Sequence, residues 1–278
     1  MSFNSLELIR HVLHVNKLIA VFLFEGVSMS TIQMVHQQLN AWYQQPYGVY
    51  VQDWLNQRLT PLLSNIFGAT AARYGVSPCE WMESNRIPFQ FGINSYSRSS
   101  ESWLETEEAF WPLPFNSLDL IVMPHALEYA QDPYALMRAA VDSLNHEGFI
   151  LFVMINPHSP WRRRQQAKWV RQMFSAKALF KDLRVLGLEL VESRFGCYCP
   201  VFESAPQFEK YRWLDAAGDR WCGHFGGVYY LLAKKRTWAE KWVGRLQFQK
   251  QMPVLKPVAA RSMVEPKYFE GRHNDEVR

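Results

Sequence analysis

Residues Leu113–Trp161 read LPFNSLDLIVMPHALEYAQDPYALMRAAVDSLNHEGFILFVMINPHSPW. Within them, Leu118-Asp-Leu-Ile-Val-Met123 is a short apolar run rich in branched side chains, which predicts a buried strand. The run stops at Pro124, and a polar patch from His125 to Asp132 follows. Asp132 stands where it can cap a helix whose first position is Pro133, a place that tolerates a missing N–H. Leu136, Met137, Ala140, Val141 and Leu144 recur at helical spacing, and Gly148 is the expected end of the helix region. Phe149–Ile155 is continuous and apolar, as a strand covered on both faces should be. Asn156-Pro157 then turns the chain. This strand–helix–strand unit is long enough for a right-handed parallel crossover. Ligands of such sheets bind beyond the carboxyl ends of the strands, here 124–128 and 156–159.

Working outward, 278 residues suffice for one large domain or two small ones with a substantial core. The net charge of +4 is unevenly placed. Residues 234–278 hold eleven Lys/Arg against five acids, and 162–181 hold seven against none. The rest of the chain is acidic, so the fold as a whole gives no reason to expect polyanion binding. Four cysteines, Cys79, Cys197, Cys199 and Cys222, are too few for a disulfide framework. Cys197, Cys199, Cys222 and His224 could supply four zinc ligands, but the spacing is not that of a common zinc knuckle. We therefore expect no metal and reduced thiols in a cytoplasmic protein. Leu18–Phe24 is far shorter than the roughly 20 residues that cross a bilayer, so no membrane span is expected.

The central stretch resembles the fourth- and fifth-strand region of class I S-adenosylmethionine-dependent methyltransferases. The closer likeness is to a bacterial, type 11-like branch with LPF…S.DL…PH.LE…DP followed by EG and NP.S.W. AWYQQPYGVYVQDWL…LTPLLSNIFG is similar to that branch's opening helix, and FSAKALFKDLRVLGLELVESRFGCYCP and AAGDRWCGHFGGVYYLLAKKR to its later strands. The likeness runs from about Trp42 to Arg236. It implies an α/β fold: a Rossmann-like, seven-stranded mixed sheet with helices on both faces and the seventh strand inserted antiparallel. It also implies S-adenosylmethionine as cofactor and methyl transfer by in-line displacement to an acceptor the sequence does not identify. We divide the chain into an N-terminal extension (1–28, with Met29 or Met34 as alternative starts), a methyltransferase-like domain (29–236) and a basic, largely unstructured tail (237–278).

Residues 32–63 read as amphipathic helix broken at Pro46-Tyr-Gly48, with Val49, Leu55, Leu59 and Leu62 on the apolar face. Residues 69–77 are the expected first strand and glycine loop. The family has Gly-x-Gly-x-Gly there so that backbone can approach the cofactor; this chain keeps one glycine, Gly75. A second strand is expected at 86–91. The acid that usually follows it to hold ribose hydroxyls is missing, and Asn94 stands in the place. Glu108 and Phe110 lie near the position that meets adenine, although Glu107-Glu108 could equally be a solvated pair. Residues 162–173 read as a basic, aromatic-interrupted helix, either touching phosphate (the weak case for nucleic acid) or simply solvated. Ser175 caps a helix to Leu186, ended by Gly187. Strands at 188–195 and 227–235 flank a helix at 207–218.

A sulfonium carries its own activation, so the protein needs mainly to bind it, aim the acceptor and exclude water. By position after the fourth strand, Pro124 and His125 are expected beside the cofactor. His125 is the candidate base and Glu128, three residues on, its orienting partner. His125 could instead only shape the pocket wall. Asn156 and His158 stand on the acceptor side, though Asn-Pro is also simply a turn. The thinned loop leaves a second reading open, a methyltransferase-like scaffold whose cofactor site has eroded.

Overall fold

The structure is a computed structural model that describes residues 31–75, 80–93, 103–104, 106–163 and 169–236. The expected N-terminal extension, the tail and Asn94 lie outside the described residues. The chain runs α1 (Thr31–Tyr43), α2 (Pro46–Leu63), β1 (Thr70–Tyr74), α3 (Glu80–Glu83), β2 (Phe89–Ile93), β3 (Trp103–Leu104), β4 (Leu118–Pro124), α4 (Ala126–Tyr129), α5 (Pro133–Ser143), β5 (Leu144–Ile155), α6 (Ala176–Val185), β6 (Leu188–Gly196), α7 (Ala205–Tyr211), α8 (Trp213–Trp221) and β7 (Val228–Lys235). The strands form one sheet in the order β3-β2-β1-β4-β5-β7-β6. Six have five residues or more, and the edge strand β3 has two. β7 runs antiparallel to both β5 and β6, and the other pairings are parallel, as the resemblance implied.

The sheet's centre is its driest part. Ile150–Ile155 and Leu120–Met123 are fully buried, because a parallel strand with helices on both sides has no wet face. Asp119 is the polar exception in β4. Its carboxylate accepts the N–H groups of Ala69 and Thr70 and the Asn145 amide, which ties the start of β1 to the start of β5. The expected caps form: Asp132 accepts from the N–H groups of Tyr134 and Ala135, and Ser175 from that of Ala178.

Five boundaries differ from the sequence reading. α5 ends at Ser143 rather than near Gly148, because Leu144 already pairs with Leu118 as the first residue of β5. Lys235 then donates to the carbonyls of Val141 and Leu144, where a cation favours a helix end. The first helical break falls at Gln44–Gln45, and Pro46 to Gly48 form the first turn of α2. Gly48 is needed there, since a Cβ would run into the backbone of Trp42 and Tyr43. The second strand is Phe89–Ile93, later than expected. The 207–218 helix is two helices, α7 and α8.

The fifth difference bears on the site. Of the basic helix expected at 162–173, residues 164–168 lie outside the described residues; the described parts are a short 3-10 turn, Pro160–Arg163, and non-helical chain over 170–175. There the N–H groups of Arg171 and Gln172 both donate to the Glu128 carbonyl, which removes them from any helix. Trp169 is buried against His125 instead of lying on a solvated face. Among the described residues no helix is long and apolar enough to cross a membrane.

Candidate functional site

β1, β4 and β5 are neighbours, and their carboxyl ends make one edge. Arg73 is level with Val122 and Pro124 with Val153. Continued by two residues, the parallel register brings Gly75 level with Pro124. The structure therefore brings together Gly75, Pro124 and His125, three of the residues expected at the cofactor.

His125 carries the turn from β4 into α4. Its φ of 57° is in the left-handed region, which few non-glycine residues adopt. Its N–H donates to the Val153 carbonyl at 2.8 Å and holds that conformation. The imidazole is fully buried and so is the Glu128 carboxyl. Nδ1 lies 2.6 Å from Glu128 Oε2, and Nε2 lies 2.7 Å from the Tyr43 hydroxyl. The other Glu128 oxygen accepts the Ile155 N–H at 2.6 Å. A carboxylate only accepts, so the ring proton is assigned to Nδ1. On the neutral ring, Nε2 then accepts from Tyr43. Trp42 and Trp169 close the ring in at centroid distances of 6.0 and 5.1 Å. Glu128 as the partner of His125 is thus observed; Tyr43 was not expected.

A second cluster lies over Gly75. This residue has φ of +78° and donates its N–H to Ile93 at 2.8 Å. A Cβ here would collide with the Tyr129 hydroxyl, with His36 Nε2 next at 3.9 Å. Tyr129 is buried and meets the His36 ring edge-on at 5.8 Å. Its hydroxyl has no hydrogen-bond partner, and burial, with Tyr74 and Glu108 nearby, holds the phenol well above its usual pKa. Trp111 stacks on Tyr74, the residue before Gly75, with rings 5.7 Å apart and 9° between planes. The Trp111 indole N–H is likewise buried without a partner.

Burial pushes the His36 pKa down to about 4 from 6.5. Above pH 6.5 the ring is neutral in the folded and unfolded states and the full stability is present. As pH falls from 6.5 toward 4 only the unfolded chain takes the proton, so stability is lost; below about 4 the loss levels off. Roughly 3 kcal/mol is expected to disappear over that window. Unfolding free energies measured from pH 7 to 4 should show the slope, and His36→Phe should flatten it.

The other expected residues are placed differently. The Glu108 carboxylate accepts the N–H groups of Gln131 and Asp132 at 2.8–3.0 Å, where it secures the entry to α5 rather than lying open for an adenine. Phe110 is 69% exposed, and its neighbour Trp111 takes the buried place. The Asn156 amide donates to the carbonyls of His224 and Gly226 at 2.8 Å, and its oxygen accepts the His158 N–H. Asn156 is therefore committed to holding the β5 turn onto the start of β7, and His158 is exposed beside it. Cys199 donates to the Tyr211 carbonyl and Cys222 is exposed. Among the described residues no group of three or more His, Cys, Asp or Glu is placed to hold a metal.

The profile of a family described as a methyltransferase domain matches residues 34–193, more than half of the chain. No curated protein matches it. Among solved structures, a chain from the complex between the Haloferax volcanii Trm112 methyltransferase activator and a methyltransferase superposes with a TM-score of 0.51. Its identity is 16%, over 73% of this chain and 98% of that one. An S-adenosylmethionine-dependent methyltransferase from Mesorhizobium loti gives 0.47 at 16% identity, over 64% and 96%. One from Archaeoglobus fulgidus gives 0.48 at 16%, over 66% and 94%. The Haloferax chain carries the same fold. With the family profile spanning β1 to β6, the chain belongs to the methyltransferase domain family, with the class I fold.

Proposed function

We propose that the protein transfers the methyl group of S-adenosylmethionine to an acceptor that gives up a proton, with His125 at the head of the proton path. The observation that carries this reading is the buried chain Tyr43–His125–Glu128, built on a left-handed residue at the ligand-binding edge of a methyltransferase fold. Backbone held in so unfavourable a conformation is concentrated at functional sites. A scaffold with an eroded site has no evident use for it.

The residues at that edge fit a polar cofactor. Gly75 offers backbone without a Cβ, and a buried donor beside it, the Tyr129 hydroxyl, lacks a partner. S-adenosylmethionine, when bound, supplies a methyl group already activated by its sulfonium. The chain's own task is then to position and to manage the proton. Glu128 keeps the ring proton on Nδ1 and so keeps Nε2 an acceptor. Because Tyr43 already occupies Nε2, the acceptor's proton passes to the Tyr43 oxygen as the Tyr43 proton passes to Nε2. Trp42 and Trp169 exclude water from that transfer.

Calorimetric titration with S-adenosylmethionine tests the first half of this reading, and no heat of binding at millimolar cofactor would end it. Tyr43→Phe tests the second. Cofactor affinity is expected to stay within a few-fold while turnover falls about a hundredfold, the lower end of what acid–base catalysis contributes. Unchanged turnover with a stability loss of about 1 kcal/mol would make Tyr43 a packing residue only.

A further inference from the structure

We propose that the Tyr129 hydroxyl is the hydrogen-bond donor that holds the cofactor over Gly75. This rests on the cofactor reading above and names the residue that carries recognition where the glycine loop is thin. Gly75 is the one glycine this chain keeps at the end of β1. Tyr129 reaches it from a different strand end, through the single turn of α4 after β4. Its oxygen lies in the space a Cβ of Gly75 would enter, so anything that approaches the Gly75 backbone passes within reach of that oxygen.

Three properties favour a donor over a plug. The hydroxyl is wholly buried and has no protein partner, an arrangement native proteins rarely leave without a reason. Burial raises its pKa, so it stays protonated and can donate at any physiological pH. The Glu108 carboxylate nearby is already taken by the N–H groups of Gln131 and Asp132. The ligand groups that match a lone donor of this kind are the acceptors of S-adenosylmethionine: its carboxylate, its ribose oxygens and its adenine ring nitrogens.

An orphaned hydroxyl makes a prediction that an ordinary structural hydrogen bond does not. Removing it should leave the ligand-free protein as stable as before, or more so, while weakening the complex. Tyr129→Phe keeps the ring and its contact with His36, so folding is preserved. Melting of the ligand-free proteins and titration with S-adenosylmethionine are measured on the full chain and on the variant. The expected result is an equal or higher melting temperature together with a dissociation constant raised about tenfold or more. Titration with 5′-methylthioadenosine, which lacks the amino-acid half, locates the bond. A penalty that persists with this probe assigns the nucleoside half, and one that vanishes assigns the carboxylate. Equal affinity of the two proteins, or tighter binding by Tyr129→Phe, overturns the donor role and leaves the cofactor reading standing. A lowered melting temperature of the ligand-free variant also overturns it, since the hydroxyl would then be serving the fold. No binding by the unchanged protein overturns both.

Discussion

His125→Ala is expected to lower turnover by roughly two to four orders of magnitude, the usual worth of a general base. It should also reduce the unfolding free energy by about 3–5 kcal/mol, the cost of stripping a buried charged group of its partner. Both effects come from the same geometry. The substitution leaves Glu128 Oε2 without the Nδ1 proton, leaves the Tyr43 hydroxyl without an acceptor, and opens a void between Trp42 and Trp169. A large stability loss would blur the kinetic result, so Glu128→Gln is the companion variant. Its amide oxygen can still accept the Ile155 N–H, while its NH2 donates to Nδ1. The ring proton must then move to Nε2, which turns from acceptor to donor toward Tyr43. Folding should be little affected and turnover should fall at least a hundredfold. If His125 only shapes the pocket wall, His125→Ala should lower affinity and rate together and modestly, and Glu128→Gln should leave turnover where it was.

The parts of the fold that were legible are those whose signal is local. β4 and β5 announce themselves as apolar runs, and Asp132 and Ser175 as caps, because the physics that selects them acts within a turn of chain. Glu128 as the partner of His125 was legible for the same reason, three residues being one turn of α4. Where local and long-range demands conflict, the long-range ones prevail. Leu144 has the spacing of a helix residue, yet pairing with Leu118 takes it into β5. Residues 162–173 have the composition of a basic helix, yet the Glu128 carbonyl takes the N–H groups of Arg171 and Gln172 and the site takes Trp169. Tyr43 stands 82 positions from His125, and no pattern in the sequence links them. Glu108 and Tyr129 show the limit of reading a site from one motif at a time. The acid in the expected adenine position caps a loop, while the hydroxyl over Gly75 arrives from beyond another strand.

Gly75→Val is expected to abolish cofactor binding while the domain still melts cooperatively. At φ of +78° a β-branched side chain is strained wherever it points, which costs about 1–3 kcal/mol. The strain falls at the carboxyl end of β1, where the Gly75 N–H makes the last bond to β2, so the strand pairing beneath it is kept. The damage to binding is separate and larger. The new Cβ and its methyl groups enter the space of the Tyr129 hydroxyl, so either Tyr129 leaves or the backbone turns away. In both cases the close approach to bare backbone is lost, together with the donor beside it. Gly75→Ala keeps part of the space and should weaken binding less than Val does, in step with the size of the added group. Titration of the three proteins with S-adenosylmethionine gives the order directly, and melting curves show whether the sheet has survived. Loss of cooperative melting in Gly75→Val would mean that the strain reaches the core. Undiminished binding by it would remove Gly75 from the site and, with it, the reason a single glycine persists at that turn.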